Sequence, residues 1–398
     1  MNPRSAELAA LLCNNVSVPW LTQRLQEMIA IPSENPMAEE ARPGHREQEI
    51  GEYYLERMSE LGMRVSQRVV VPGRPNVFGI REGAGDGPTL MLCGHLDTVP
   101  TDGYQDAYAV REEGGRIYGR GSCDMKAGLA AYLEVVRLLN EAEVRLNGTL
   151  ILCGVADEEY QMIGSREIGR NGPTADQCII AEPSDLAVCP AHKGQYSLWI
   201  RTFGKAAHSS VPEKGENAIE RMARVLLALS DYNAELAERD PHALCGHGRY
   251  SPGVIRGGEL VSTVPDYCEL EIDRRLLPDD DPDEVREDIA RYLKPLTDAD
   301  PGFRYEISPP SWNISANNIP IDAPVVRSLL TSWHTLTGDT CQAEAFPGAT
   351  DAPNLGSPAV VCGPGSLAQA HSTNEYVEVE QVILATRMYL RAVFDLLA

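Results

Sequence analysis

Thr89-Leu90-Met91-Leu92-Cys93-Gly94-His95-Leu96-Asp97-Thr98-Val99-Pro100 joins an unbroken apolar run to a histidine and an aspartate. Two later segments repeat the arrangement. Thr149-Leu150-Ile151-Leu152-Cys153-Gly154-Val155 ends just before Asp157, Glu158 and Glu159, and Cys178-Ile179-Ile180-Ala181 ends at Glu182. Continuous apolar runs of this length suit strands buried on both faces of a parallel sheet. In open α/β sheets, ligands collect outside the carboxyl ends of the strands. Three strands that deliver acids or a histidine to that end therefore point to one shared site. Histidine, aspartate and glutamate are the nitrogen and oxygen donors that zinc and similar divalent ions accept, and two adjacent ions need a bridging carboxylate. With Gly119-Arg120-Gly121-Ser122-Cys123-Asp124-Met125-Lys126 and the later His371, the pattern reads as a dinuclear metal site.

Composition narrows the possible partners. A chain of 398 residues has room for two domains, and 43% hydrophobic residues can fill ordinary cores. The formal net charge of -23 argues against nucleic acid or an anionic membrane, because both repel an acidic surface. No basic start leads into an apolar segment and no apolar run reaches membrane-spanning length, so neither a signal peptide nor a span is expected, and a cytoplasmic location follows. The 10 cysteines form no Cys-x-x-Cys pair, and Cys93, Cys153, Cys178 and Cys362 lie in apolar runs where cysteine acts as a small hydrophobe. They read as reduced thiols.

Helical spacing marks Leu21, Leu25, Met28 and Ile29, then Ile50, Tyr54, Leu55, Met58 and Leu61, with a proline-rich break around Pro32 to Pro43. Leu129, Leu133, Val136 and Leu139 predict a helix over 126–140, which places Asp124 where a loop enters a helix, either as an N-cap or as a ligand. Near residue 192 the character changes from solid apolar runs to alternation. A strand over 195–203, a helix from Asn217 to Leu236, a strand pair at 253–256 and 267–274, a helix over 282–293 and a strand over 303–307 give the order β-α-β-β-α-β. The expected fold is α/β. Residues 1–191 and 309–398 form a catalytic domain with a mixed, mostly parallel sheet and helices on both faces; residues 192–308 form an inserted α+β, ferredoxin-like lid and dimerisation domain.

The combination His-Leu-Asp-Thr-Val-Pro, Gly-Arg-Gly-Ser-Cys-Asp-Met-Lys, Asp-Glu-Glu and Ala-His-Ser, in this order and spacing, resembles the M20 metallopeptidase group of co-catalytic zinc hydrolases. The resemblance runs from Trp20 to a final helix predicted over 379–397. It implies that His95, Asp124 and Glu182 hold one divalent ion, and that Asp124, Glu159 and His371 hold another, with Asp124 as the bridge. It also implies that Asp97 hydrogen-bonds the other imidazole nitrogen of His95, that Glu158 is the general base, and that a cis peptide bond follows Asp124. His208 would stabilise the oxyanion, often from the partner subunit of a homodimer formed through the inserted domain. Arg275, with Asn217, would contact substrate, since a guanidinium fork matches a carboxylate. Where many relatives carry Asn in Gly-Gly-x-x-x-Asn-x-Val-Pro-Asp, this chain has Ser262. His242, His247 and His334 fit no part of the pattern.

The function implied is hydrolysis of the amide bond in small N-acyl amino acids through a metal-activated water, with zinc as the expected ion and cobalt or manganese as alternatives. A metallo-exopeptidase acting on dipeptide-like substrates is the competing reading. A non-catalytic scaffold of the same fold is a third, and it would be expected to have lost ligands that this chain retains.

Overall fold

The computed structural model describes residues 3–37 and 47–398. Positions 38–43 of the expected proline-rich break lie outside the described residues. The chain folds as two units, one comprising residues 1–190, 319–346 and 350–398, the other residues 191–318 and 347–349.

The first unit is built on a six-stranded sheet in the order Arg64–Val71, Arg74–Arg81, Thr149–Val155, Thr89–His95, Gln177–Pro183 and Ala359–Gly363. The last four are mutually parallel, and the first two form an antiparallel hairpin along one edge. Alternating and solid patterns separate these strands as expected of edge and centre: Arg64–Val71 is largely exposed, whereas Thr89–His95 and Thr149–Val155 are buried beyond their first residue. Helices Lys126–Glu141 and Val379–Leu397 cover one face with the larger apolar cluster, which includes Leu90, Leu92, Leu129, Leu133, Tyr389 and Val393. On the other face Met91, Cys93, Ile151, Cys153 and Ile180 pack with Ile168 of the helix Ile163–Asn171 and with Leu355. All ten cysteines are free. Among the described residues no helix is long and apolar enough to cross a membrane.

The second unit is a four-stranded antiparallel sheet in the order Arg249–Gly257, Tyr267–Leu276, Gly194–Phe203 and Arg304–Ile314, backed by helices Ala218–Glu238 and Pro282–Ala299. Along Tyr267–Leu276, Cys268, Leu270, Ile272 and Arg274 face the helices, while Glu269, Glu271, Asp273 and Arg275 lie on the more open face.

Two local expectations change. An antiparallel hairpin over 64–81, for which no strand was expected, precedes the first apolar strand. The last strand of the second unit extends to Ile314, well past 307, through Pro309 and Pro310. It is an edge strand with register shifts at Pro310, the setting in which a residue that cannot donate to a ladder is tolerated.

Candidate metal centre

Each candidate ligand sits where a strand ends. His95 is the last residue of its strand, Glu158 and Glu159 follow Val155, Glu182 is near the end of Gln177–Pro183, and His371 lies in the loop after Ala359–Gly363. Asp124 precedes the helix Lys126–Glu141, and the Asp124–Met125 peptide bond is cis. Met125, not Asp124, occupies the N-cap position, and it makes no capping hydrogen bond. The Asp124 carboxylate is therefore free of the structural role that its position suggested.

That carboxylate is shared by two histidines. Its Oδ1 is 3.0 Å from His95 Nε2, and its Oδ2 is 3.4 Å from His371 Nε2. His95 Nε2 is also 3.7 Å from Glu182 Oε2, and His371 Nε2 is 3.1 Å from Glu159 Oε2. Donors placed tetrahedrally around one ion at about 2.0 Å lie roughly 3.3 Å from each other, so this set has the spacing of ligands that share ions. Two groups have donor atoms all within 4.8 Å of one another: His95, Glu158 and Glu182, and His95, Asp124 and Glu159. The first brings Glu158 as close to the cluster as the expected ligands, while His371 joins neither group as a whole. Glu182 Oε1 is buried without a hydrogen-bond partner, which fits an oxygen meant for a cation.

The tautomer of His95 suits a ligand. Its Nδ1 lies 2.9 Å from the main-chain oxygen of Asp97, an acceptor only, so Nδ1 carries a hydrogen and Nε2 is the nitrogen turned toward Asp124 and Glu182, where a bound cation would displace its proton. This corrects the expected partner: the carbonyl of Asp97 makes the contact, and its carboxylate stands 3.6 Å away. The carboxylate instead accepts from the main-chain N–H groups of Glu158 and Glu159, each at 3.1 Å, and from Asn35 Nδ2 at 2.8 Å. Asp97 thus fixes the backbone that aims the two glutamates.

Further residues that sequence reasoning missed hold this frame. Asn35 also donates to Asp157 Oδ1 at 2.9 Å, Arg74 reaches the same oxygen at 2.7 Å and pairs with buried Glu47, and Glu47 accepts from Asp157 N–H at 3.0 Å. Glu375, fully buried, accepts from the N–H groups of Cys123 and Asp124 at 2.9 and 3.0 Å and pairs with Arg120 at 2.6 Å. Asn35, Glu47, Arg74 and Glu375 lie outside the motif words, so their spacing carried no signal; the chain folding places them.

Without cations the acids and histidines perturb each other strongly. Burial, then the Glu182 charge, pushes the Glu158 carboxyl well above the usual range, and burial pushes Glu182 up to about 7 against the opposing pull of His95. Hydrogen bonds to Asp124 and Glu159 raise His371 to about 10. Burial alone would lift Asp124, yet His371 and His95 hold it below the ordinary aspartate value. Such a cluster stores protons that bound cations would displace.

In the second unit His208 is exposed, in a two-residue strand paired with Thr263–Val264. Its Nδ1 receives the Ser210 N–H at 3.2 Å and lies 2.8 Å from Ser210 Oγ. An N–H can only donate, so Nδ1 is the acceptor and Nε2–H is left as a donor. Asn217 caps its helix, with Oδ1 accepting from Ile219 and Glu220 N–H. Its side-chain oxygen is thereby committed to structure, which leaves only Nδ2 for the expected substrate contact. Arg275 pairs with Asp273 at 2.9 Å, while its neighbour Arg274 is buried against Tyr232 and Asp280. His242, His247 and His334 each bind nearby backbone.

Residues 91–395 match the peptidase family M20/M25/M40. Acetylornithine deacetylase of Edwardsiella ictaluri is 35% identical over 338 residues, covering 82% of this chain and 85% of that protein. N-formyl-4-amino-5-aminomethyl-2-methylpyrimidine deformylase of Bacillus subtilis is 29% identical over 382 residues, covering 88% and 89%. Among solved structures, a tripeptidase from Staphylococcus aureus superposes with a TM-score of 0.79 at 24% identity, over 95% of this chain and 98% of that one.

Proposed function

The chain belongs to peptidase family M20/M25/M40 and is a hydrolase of amide bonds, and from that premise we propose that it is a deacylase of small N-acylated amines, most specifically N-acyl amino acids. The observation that carries this reading is the pairing of the two relatives: a deacetylase and a deformylase, both covering more than four fifths of the chain, remove a small acyl group from an amine. The tripeptidase likeness speaks to fold alone.

His95, Asp124, Glu159, Glu182 and His371 are the residues that would hold two divalent ions, with Asp124 between them and zinc as the favoured ion. Such ions supply Lewis acidity toward the amide carbonyl and make a nearby water more acidic. Glu158 is the general base: no protein hydrogen bond ties down its side chain among the described residues, its burial favours proton uptake, and Asp97 fixes its backbone. It takes the proton of the attacking water and passes it to the departing amine. His208, with Nε2–H free to donate, stabilises the oxyanion, and Arg275 recognises a substrate carboxylate.

The test is a substrate panel. Zinc-, cobalt- and manganese-loaded enzyme is assayed by amine release from N-formyl, N-acetyl and N-succinyl amino acids, N-acetylornithine included, and from di- and tripeptides. An N-acyl amino acid should exceed the best peptide in kcat/KM by roughly 100-fold, the scale at which pocket contacts discriminate. A peptide winning by that margin would replace the deacylase with the exopeptidase.

A homodimer through residues 191–318, with His208 serving the partner's site, is the quaternary arrangement we propose. Inactive His208→Ala chains mixed with inactive Glu158→Gln chains should regain activity after subunit exchange, because one site then holds both groups. Proven exchange without recovery would confine His208 to its own chain or remove it from catalysis.

A further inference from the structure

At the opposite end of the sheet from the metal-binding residues, a cavity of about 580 Å³ opens beside Arg64, Arg81 and Arg145, with Ile80, Val144 and Leu146 as its apolar wall. It adjoins the start of Thr149–Val155, a 7-residue strand whose far end leads to Glu158. At about 3.3 Å per residue that strand alone sets the cavity roughly 23 Å from the metal centre.

The charge around the cavity is unlike that of the chain. The protein has 58 acidic and 35 basic residues, yet three guanidiniums line this space with one carboxylate, Glu82. Arg64 pairs with Glu82 at 2.9 Å. Arg81 is half-buried and donates to Asn140 Oδ1 and, at 2.6 Å, to the Val144 carbonyl, both neutral acceptors. Arg145 is exposed and has no carboxylate partner among the described residues. Hydrogen bonds to neutral oxygens orient Arg81 without cancelling its charge, so one of its faces and the whole of Arg145 remain for an anion.

The cavity wall is preformed. Ala84 N–H donates to Leu146 O at 2.8 Å and Gly85 N–H to Asn147 O at 3.2 Å, which pins the loop after Arg81 against the strand entry. At Gly83 a Cβ would stand 2.4 Å from the Asn147 carbonyl oxygen, so only glycine permits this approach.

We propose that this cavity is an anion-binding site, separate from the metal centre, for a small molecule bearing a phosphate or a pair of carboxylates. Both groups present paired oxygens to a guanidinium fork, and Ile80, Val144 and Leu146 accommodate a short carbon skeleton between them. The site makes no demand on the metal-binding residues and stands whether or not the deacylase reading does.

The experiment is calorimetric titration of the metal-loaded full chain with inorganic phosphate and, separately, with glutarate, against sodium chloride at matched ionic strength. The comparison is the double variant Arg64→Glu/Arg145→Glu; both side chains are exposed, so the fold should persist, with circular dichroism and unchanged amide hydrolysis as the check. At least one probe should bind the wild type, and the double variant should weaken it about tenfold or more, as loss of charge-assisted hydrogen bonds requires. The probe that binds more tightly assigns the ligand to the phosphate or the dicarboxylate class. If neither probe binds beyond the chloride control, or if wild type and variant bind equally, the cavity is not an anion site.

Discussion

Glu158→Gln should leave the metal content unchanged and lower kcat by roughly 10³-fold or more, because a positioned general base contributes on the order of 10² to 10⁴ and the amide that replaces it cannot accept the proton. The substitution keeps the shape of the side chain and does not touch the backbone N–H that binds Asp97. It also separates two roles that the geometry brings close together. Glu158 lies within the same 4.8 Å group as His95 and Glu182, so it could be a ligand in its own right. A ligand would give a different result: one equivalent of metal lost, with activity partly restored by excess metal. Elemental analysis alongside single-turnover kinetics reads both. Full metal content with near-wild-type kcat would remove Glu158 from the chemistry. Glu159→Gln provides the contrast, since its Oε2 faces His371 and its loss should weaken metal binding before it affects proton transfer.

The central sheet and the convergence of acids at its carboxyl end were legible because solid apolar runs and charged strand ends are local signals. Thr89–His95, Thr149–Val155 and Gln177–Pro183 lie side by side in parallel, as their composition demands. The hairpin 64–81 was not legible: its exposed strand Arg64–Val71 carries a mixed polar pattern, and edge strands need no apolar face. The supporting residues were hidden for a different reason. Glu47 and Arg74 meet from a helix and a strand 27 positions apart, and Glu375 reaches Asp124 across 251 positions. Buried charges of this kind are compensated only by tertiary contacts, and a single sequence shows the charge without its partner. The role of Asp97 was half legible. The family resemblance implied that Asp97 supports the imidazole, but whether carbonyl or carboxylate gives that support depends on the turn of the backbone.

Under the proposed two-ion reading, in which Asp124 is the shared acid, Asp124→Ala should abolish measurable hydrolysis and reduce bound metal to about one ion or fewer per chain. Its effect on pH dependence is equally specific. In the metal-free wild type, Glu182 moves from 4.5 to about 7 and His371 from 6.5 to about 10 on folding. Each raised value means that the folded chain holds a proton the unfolded chain has released. Stability of the metal-free protein should therefore fall as pH rises, from Glu182 between 4.5 and about 7 and from His371 between 6.5 and about 10. Metal binding expels these protons, so the gap in Tm between loaded and metal-free protein should widen from about pH 5 to about pH 9. Asp124 carries much of the negative charge that holds His371 protonated; its removal should let that histidine titrate nearer its ordinary value and flatten the upper part of the metal-free curve. Thermal denaturation of both proteins, with and without chelator, reads all of this. An Asp124→Ala protein that still binds two ions, or a metal-free wild type whose Tm rises steadily over that range, would break the link between the shared carboxylate, the stored protons and the metal centre.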